Sequence, residues 1–84
     1  MKKVIMFSAQ WCGPCKATRP HFNTLKESVN DVTFEMVDVD EQGNRAHEFD
    51  IRSVPTFVLL KDDKEVARMV GGATAGKLKT FINQ

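Results

Sequence analysis

The sequence predicts an α/β domain in the order β-α-β-α-β-β-α, with a four-stranded mixed sheet flanked by helices. Three observations predict it. Val4-Ile5-Met6-Phe7 is apolar without alternation, the pattern of a strand buried on both faces. Segments with helical periodicity separate the first three strand-like runs. Lys61-Asp62-Asp63-Lys64 is a polar break between the last two runs, which therefore form an antiparallel hairpin. The chain has 84 residues, of which 42% are hydrophobic, enough for one core and one domain over residues 1–84.

Each element follows from local pattern. After the first strand, Cys12 to about Val29 reads as a helix. Phe22, Leu25 and Val29 share a face, while Lys16, Arg19, Lys26 and Glu27 face water. Pro20 lies inside it and should kink it. Asn30-Asp31 is a stop. A second strand covers about Thr33 to Asp38, parallel to the first because a helix joins them. Asp40 is placed to cap a short helix from Glu41 to Phe49, with Ala46 and Phe49 facing in. Val54 precedes Pro55 and must be extended. Thr56-Phe57-Val58-Leu59-Leu60 is a strong strand, and Glu65 to Val70 returns beside it. Gly71-Gly72 breaks the chain. Thr74 caps a last helix in which Ala75, Leu78, Phe81 and Ile82 share a face.

Composition excludes several classes of function. There are 12 Lys and Arg against 11 Asp and Glu, a net charge of +1, so no basic footprint for nucleic acid exists. No apolar run approaches the roughly 20 residues needed to span a bilayer. The opening apolar stretch stops at Ser8, short of the about 7–15 residues of a secretory signal. The chain is accordingly read as cytoplasmic.

The two cysteines are Cys12 and Cys15. A bridge between them closes so short a loop that it constrains the unfolded chain little. The pair is therefore reactive, metal-binding or incidental. Trp11-Cys12-Gly13-Pro14-Cys15-Lys16 falls where the first strand gives way to the first helix. Backbone N–H groups and the helix dipole favour an anion there, so the Cys12 thiolate should be stabilised, with Lys16 as a nearby cation. Cys15, one turn on, is placed to attack a mixed disulfide formed at Cys12. Gly13 and Pro14 set the geometry of the ring between them. His21 and His47 supply no second ligand pair with zinc-site spacing, so no metal is expected.

Phe7-Ser8-Ala9-Gln10-Trp11-Cys12-Gly13-Pro14-Cys15-Lys16 resembles the active-site segment of thioredoxins. Pro20 is similar to that family's helix proline. Val37-Asp38-Val39-Asp40, Asp50 to Phe57, and Gly71-Gly72 resemble further family segments, in consistent order from about Val4 to Ile82. The resemblance implies a minimal thioredoxin fold. It implies that Cys12 is the exposed nucleophile and Cys15 the more buried resolving thiol. Pro55, in a cis bond to Val54, would lie against the pair. The backbone of Val54 would bond an extended substrate segment. Trp11, Gly13, Pro14, Gly71 and Gly72 would frame the docking surface. The implied activity is reduction of protein disulfides without a cofactor. The implied partners are a thioredoxin reductase and oxidised clients such as a ribonucleotide reductase, met by a monomer.

The chain departs from the family pattern in three ways. It lacks the family's usual first strand and helix. Met6 occupies the place of a buried Asp that assists the resolving thiol, and Met36 the place of a Lys. Deprotonation of Cys15 would then fall to Asp38, Asp40, Lys16 or water. An alternative in the same chemistry is a glutaredoxin-like oxidoreductase coupled to glutathione. Chain size and Gly71-Gly72 favour it; the Gly-Pro centre of the motif, Trp11 and the absence of Tyr oppose it. A soft-metal carrier and a non-catalytic binding module using the surface around Trp11, Val54 and Gly71 are the readings from other classes.

Overall fold

The central strand, β1 (Lys2–Ser8), is apolar because it has a layer on each side: Val4, Ile5, Met6 and Phe7 are all fully buried. The computed structural model describes the whole chain, Met1–Gln84. After β1 come α1 (Gly13–Ser28), β2 (Val32–Asp38), α2 (Gly43–Glu48), β3 (Thr56–Lys61), β4 (Lys64–Val70) and α3 (Ala75–Ile82). The strands form one mixed sheet in the order β2-β1-β3-β4. β1 runs parallel to β2, with Val4 opposite Phe34 and Met6 opposite Met36. It runs antiparallel to β3, with Met6 opposite Phe57. The element order and mixed sheet of the sequence reading are those observed.

Alternation along β1 sorts the core into two layers. Val4 and Met6 join Phe57, Leu59 and the apolar stripes of α1 and α3. Ile5 and Phe7 face the other way, with Val37, Val58 and Leu60. Phe22 anchors the first layer, its ring 5.4 Å from Phe34 edge-on and 6.1 Å from Phe57. Pro20 sits inside α1, as the sequence predicts, and supplies no N–H to the helix ladder. Thr74 caps α3 by accepting from the Lys77 N–H at 3.2 Å. The Lys2 ammonium donates to the Ile82 carbonyl at the other end. The β3–β4 hairpin closes through Asp62 and Asp63, both at positive φ, which matches the twist of two-residue hairpins.

The second helix differs from its sequence reading. Asp40 does not cap it; helix α2 begins at Gly43 after Gln42, which makes no side-chain cap bond. The Asp38 carboxylate instead accepts from the N–H groups of Asp40 and Glu41, at 2.8 and 3.1 Å, and holds a turn there. Helix α2 buries no residue fully, and Ala46 and Phe49 are only half-buried. It ends in a Schellman motif, with Ile51 N–H donating to Ala46 and Asp50 N–H to His47 while Asp50 takes the left-handed conformation. That reversal aims residues 51–54 back toward the Cys12 end of α1.

With so little burial, α2 is held by side-chain bonds to the sheet. The Phe49 ring lies 5.5 Å from that of Phe7. Arg45 grips Glu35 of β2 with two nitrogens, at 2.8 and 3.1 Å, and Lys3 of β1 reaches the same carboxylate at 2.8 Å. The Arg45 hydrogen bonds hold the Glu35 carboxyl at about 2, against an ordinary 4.5; partial burial opposes this and Lys3 adds to it. Because the folded-state value is depressed, the stabilisation is complete above 4.5 and is lost as the pH falls toward 2. Glu35→Gln should therefore cost about 1 kcal/mol at neutral pH, the scale of a half-exposed ion network. Urea unfolding across the acid range should show the gap to the wild type closing between 4.5 and 2.

Candidate active site

The site begins where β1 ends. The Cys12 N–H donates to the Ala9 carbonyl at 3.2 Å, a turn that leads the chain into α1. Cys12 is the N-cap residue of α1, with extended backbone, and its Sγ accepts from the Cys15 N–H at 3.1 Å. Sulfur thus takes the place that a Ser or Asp oxygen occupies in an ordinary cap. Pro14 in the first turn forfeits no intrahelical bond. The Cα atoms of Cys12 and Cys15 are 5.2 Å apart and their sulfurs are joined as a disulfide. In the reduced state, the same N–H groups and helix terminus face whatever charge forms on Cys12.

The two sulfurs have unequal access. Cys15 is fully buried and Cys12 retains 4% exposure. The sequence expectation of an exposed nucleophile needs that correction: only the outer edge of Cys12 meets solvent, because both cysteines belong to the core layer between α1 and the sheet. Met6 lies in that layer, fully buried. The buried polar side chains of the protein are Ser8, Thr18 and Thr56, so no buried carboxylate or amine stands near the Cys15 sulfur. Asp38 is engaged in its turn, and the Asp40 carboxylate accepts from the Trp11 indole N–H at 2.8 Å. Lys16 is exposed on α1. None of these three side chains hydrogen-bonds a cysteine sulfur.

Around the sulfurs, three segments converge. The Val54–Pro55 peptide bond is cis, and the Val54 carbonyl lies 3.6 Å from Cys12 Sγ, within reach of a thiol proton in the reduced state. Val54 lies outside the strands and makes no backbone hydrogen bond within the chain. Pro55 is buried beneath it, and the Thr56 hydroxyl donates to the Ser53 carbonyl at 2.7 Å. Gly71, at φ 102°, donates its N–H to the Pro55 carbonyl at 2.8 Å, which brings Gly71-Gly72 beside the same edge. Trp11 is 70% exposed, a large aromatic surface left uncovered next to the sulfurs. Gly13 and Pro14 are also exposed.

A shallow groove of about 120 Å³ runs beside Cys12, lined by Trp11, Val39, Ile51, Arg52, Ser53 and Val54. Sequence reasoning named Trp11 and Val54 but missed the groove's other walls, and it missed that Asp40 fixes the Trp11 ring. The signal for Val39 and Ile51 was present: both are apolar residues at element ends that no helix or strand stripe had claimed. His21 and His47 are exposed, and no three His, Cys, Asp or Glu side chains gather as a metal site. No helix is long and apolar enough to cross a membrane.

A cysteine pair at a helix N-terminus, beside a cis-proline, on a four-stranded mixed sheet defines a thiol–disulfide exchange site. The family model for thioredoxin matches residues 1–84, and the chain belongs to the thioredoxin family. It is 43% identical to thioredoxin Asp f 28 of Aspergillus fumigatus, over 94% of this chain and 73% of that protein. It is 46% identical to thioredoxin H2 of Arabidopsis thaliana, over 81% of this chain; the match spans about half of that relative, 51%. The structure of Fasciola hepatica thioredoxin superposes with a TM-score of 0.91 at 40% identity, covering 98% of this chain and 78% of that one.

Asp40 holds an exposed ring by one charge-assisted bond, so Asp40→Ala should free Trp11 while costing about 1 kcal/mol or less in stability. The Trp11 fluorescence anisotropy should fall and its indole N–H should exchange faster, with the unfolding midpoint nearly unchanged.

Proposed function

We propose that the chain is a thiol–disulfide oxidoreductase that reduces protein disulfides through Cys12 and Cys15, and that a thioredoxin reductase recharges it. The observation that carries this reading is the Cys12 sulfur at the α1 N-terminus, accepting a helix N–H while keeping the only solvent-facing edge of the pair. In the reduced protein, the Cys12 thiolate attacks one sulfur of a client disulfide. A Cys12–client bond forms, the client bond breaks, and the released client thiolate takes up a proton. Cys15 then loses its proton and attacks Cys12 Sγ. The Cys12–Cys15 disulfide forms, and the second client thiol leaves reduced. Two electrons have passed to the client, and the reductase restores them.

Client recognition follows from the same edge. An extended client segment would bond the free backbone of Val54 in the manner of an added strand. Trp11, Gly13, Pro14, Gly71 and Gly72 would border it, and Pro55 would keep the Val54 carbonyl facing Cys12. The site offers no buried base, so Cys15 gives up its proton to water or to the leaving thiolate, not to Asp38, Asp40 or Lys16. We place this activity in the cytoplasm, where thiols are kept reduced. The chain would act as a monomer on clients such as a ribonucleotide reductase.

Insulin reduction tests the reading. Turnover is expected with NADPH and thioredoxin reductase, and Cys12→Ser should abolish it. Cys15→Ser should instead accumulate a Cys12–client mixed disulfide, visible by mass spectrometry. Rapid turnover with glutathione and its reductase alone would transfer the chain to the glutaredoxin-like reading.

A further inference from the structure

A buried hydroxyl on α1 has no part in the sulfur chemistry and still binds a segment far away in sequence. Thr18 is 2% exposed and lies on the apolar stripe formed by Cys15, Phe22 and Leu25. A Val would fill that position with the same shape. Burying a hydroxyl there is unfavourable unless it is hydrogen-bonded. Its bond is to the Ala73 N–H, at 3.2 Å.

That bond is one of two that hold the loop Gly71–Ala73. The other runs from the Gly71 N–H to the Pro55 carbonyl, at 2.8 Å. One anchor is thus the cis-proline and the other is the helix that carries the cysteines. Between them, Gly72 lies so close to α1 that a Cβ there would stand 3.1 Å from Thr18 Oγ1 and 3.7 Å from the Pro14 Cβ. The missing side chain lets the loop seat itself against the first turns of α1, over Pro14 and Thr18.

We propose that Thr18 is a positioning residue for client docking. Its hydroxyl clamps the Gly71–Ala73 loop against α1, so that the rim of the docking edge is formed before a protein disulfide arrives. The inference rests on the reductase reading above and adds what sets client affinity in this chain. The clamp acts on docking alone. A disulfide too small to touch the rim should not sense it.

The test compares wild type, Thr18→Val and Thr18→Ser. In Thr18→Val the Ala73 N–H loses its acceptor, and its amide hydrogen exchange, followed by NMR, should quicken at least tenfold. The KM for insulin should rise about five- to tenfold with kcat unchanged, the scale expected when one partly buried donor is left unpaired. The rate with hydroxyethyl disulfide should stay at the wild-type value. Thr18→Ser restores the acceptor and should restore both KM and Ala73 protection. Gly72→Ala attacks the clamp from the other side by crowding the hydroxyl, and it should raise the insulin KM even if Thr18→Val folds poorly. An unchanged insulin KM in both Thr18→Val and Gly72→Ala overturns the proposal. So does an equal loss toward insulin and hydroxyethyl disulfide. A wild-type protein that fails to reduce insulin overturns the reductase reading itself, and that result is seen before any variant is made.

Discussion

A sulfur atom caps a helix in this protein, and the rest of the site depends on that bond. An ordinary N-cap oxygen satisfies an orphan N–H and does nothing more. Here the cap is the Cys12 sulfur, which receives the Cys15 N–H and the positive end of α1. The same bond places Cys15 one turn below, within bonding distance of Cys12. Cap, Cys12 sulfur and Cys15 sulfur are therefore one local structure. Any change that shifts the start of α1 shifts all three.

The sheet holds that start in place. Strand β1 is buried on both faces, so its C-terminal end is among the most fixed points of the chain, and the turn through Ala9 delivers Cys12 directly from it. Adjacent β3 begins at Thr56, immediately after the cis peptide, so the Val54 carbonyl arrives at Cys12 from the neighbouring strand. Gly71 follows β4 and bonds back to Pro55. Three strand ends of one sheet thus meet at one helix terminus. An edge fixed in this way has little conformational freedom left to lose when an extended segment is added to it.

Much of this was legible in the sequence, and the gaps have physical causes. The strand–helix junction at Cys12 could be read because an unbroken apolar run ends one short turn before a Gly-Pro helix start. The hairpin and the Thr74 cap carried equally local signals. The α2 cap was misread because Asp38 and Asp40 are equivalent in pattern. Only the fold decides that one holds a turn and the other reaches a tryptophan 29 residues away. The depth of Cys12 was overestimated toward solvent, since its burial comes from Val54 and the sheet, which sequence spacing does not report. Thr18 escaped notice because a threonine on an apolar stripe looks like an ordinary packing residue. Its partner lies 55 residues further on.

The central claim is that one helix terminus makes the two thiols unequal, with Cys12 activated and Cys15 shielded. Brief alkylation of the fully reduced protein with iodoacetamide at neutral pH, mapped by mass spectrometry, tests it most directly. The account predicts that Cys12 is modified first and faster than the thiol of free glutathione, while Cys15 reacts only after unfolding. Equal modification of both cysteines in the native protein, or a Cys12 slower than glutathione, would contradict it.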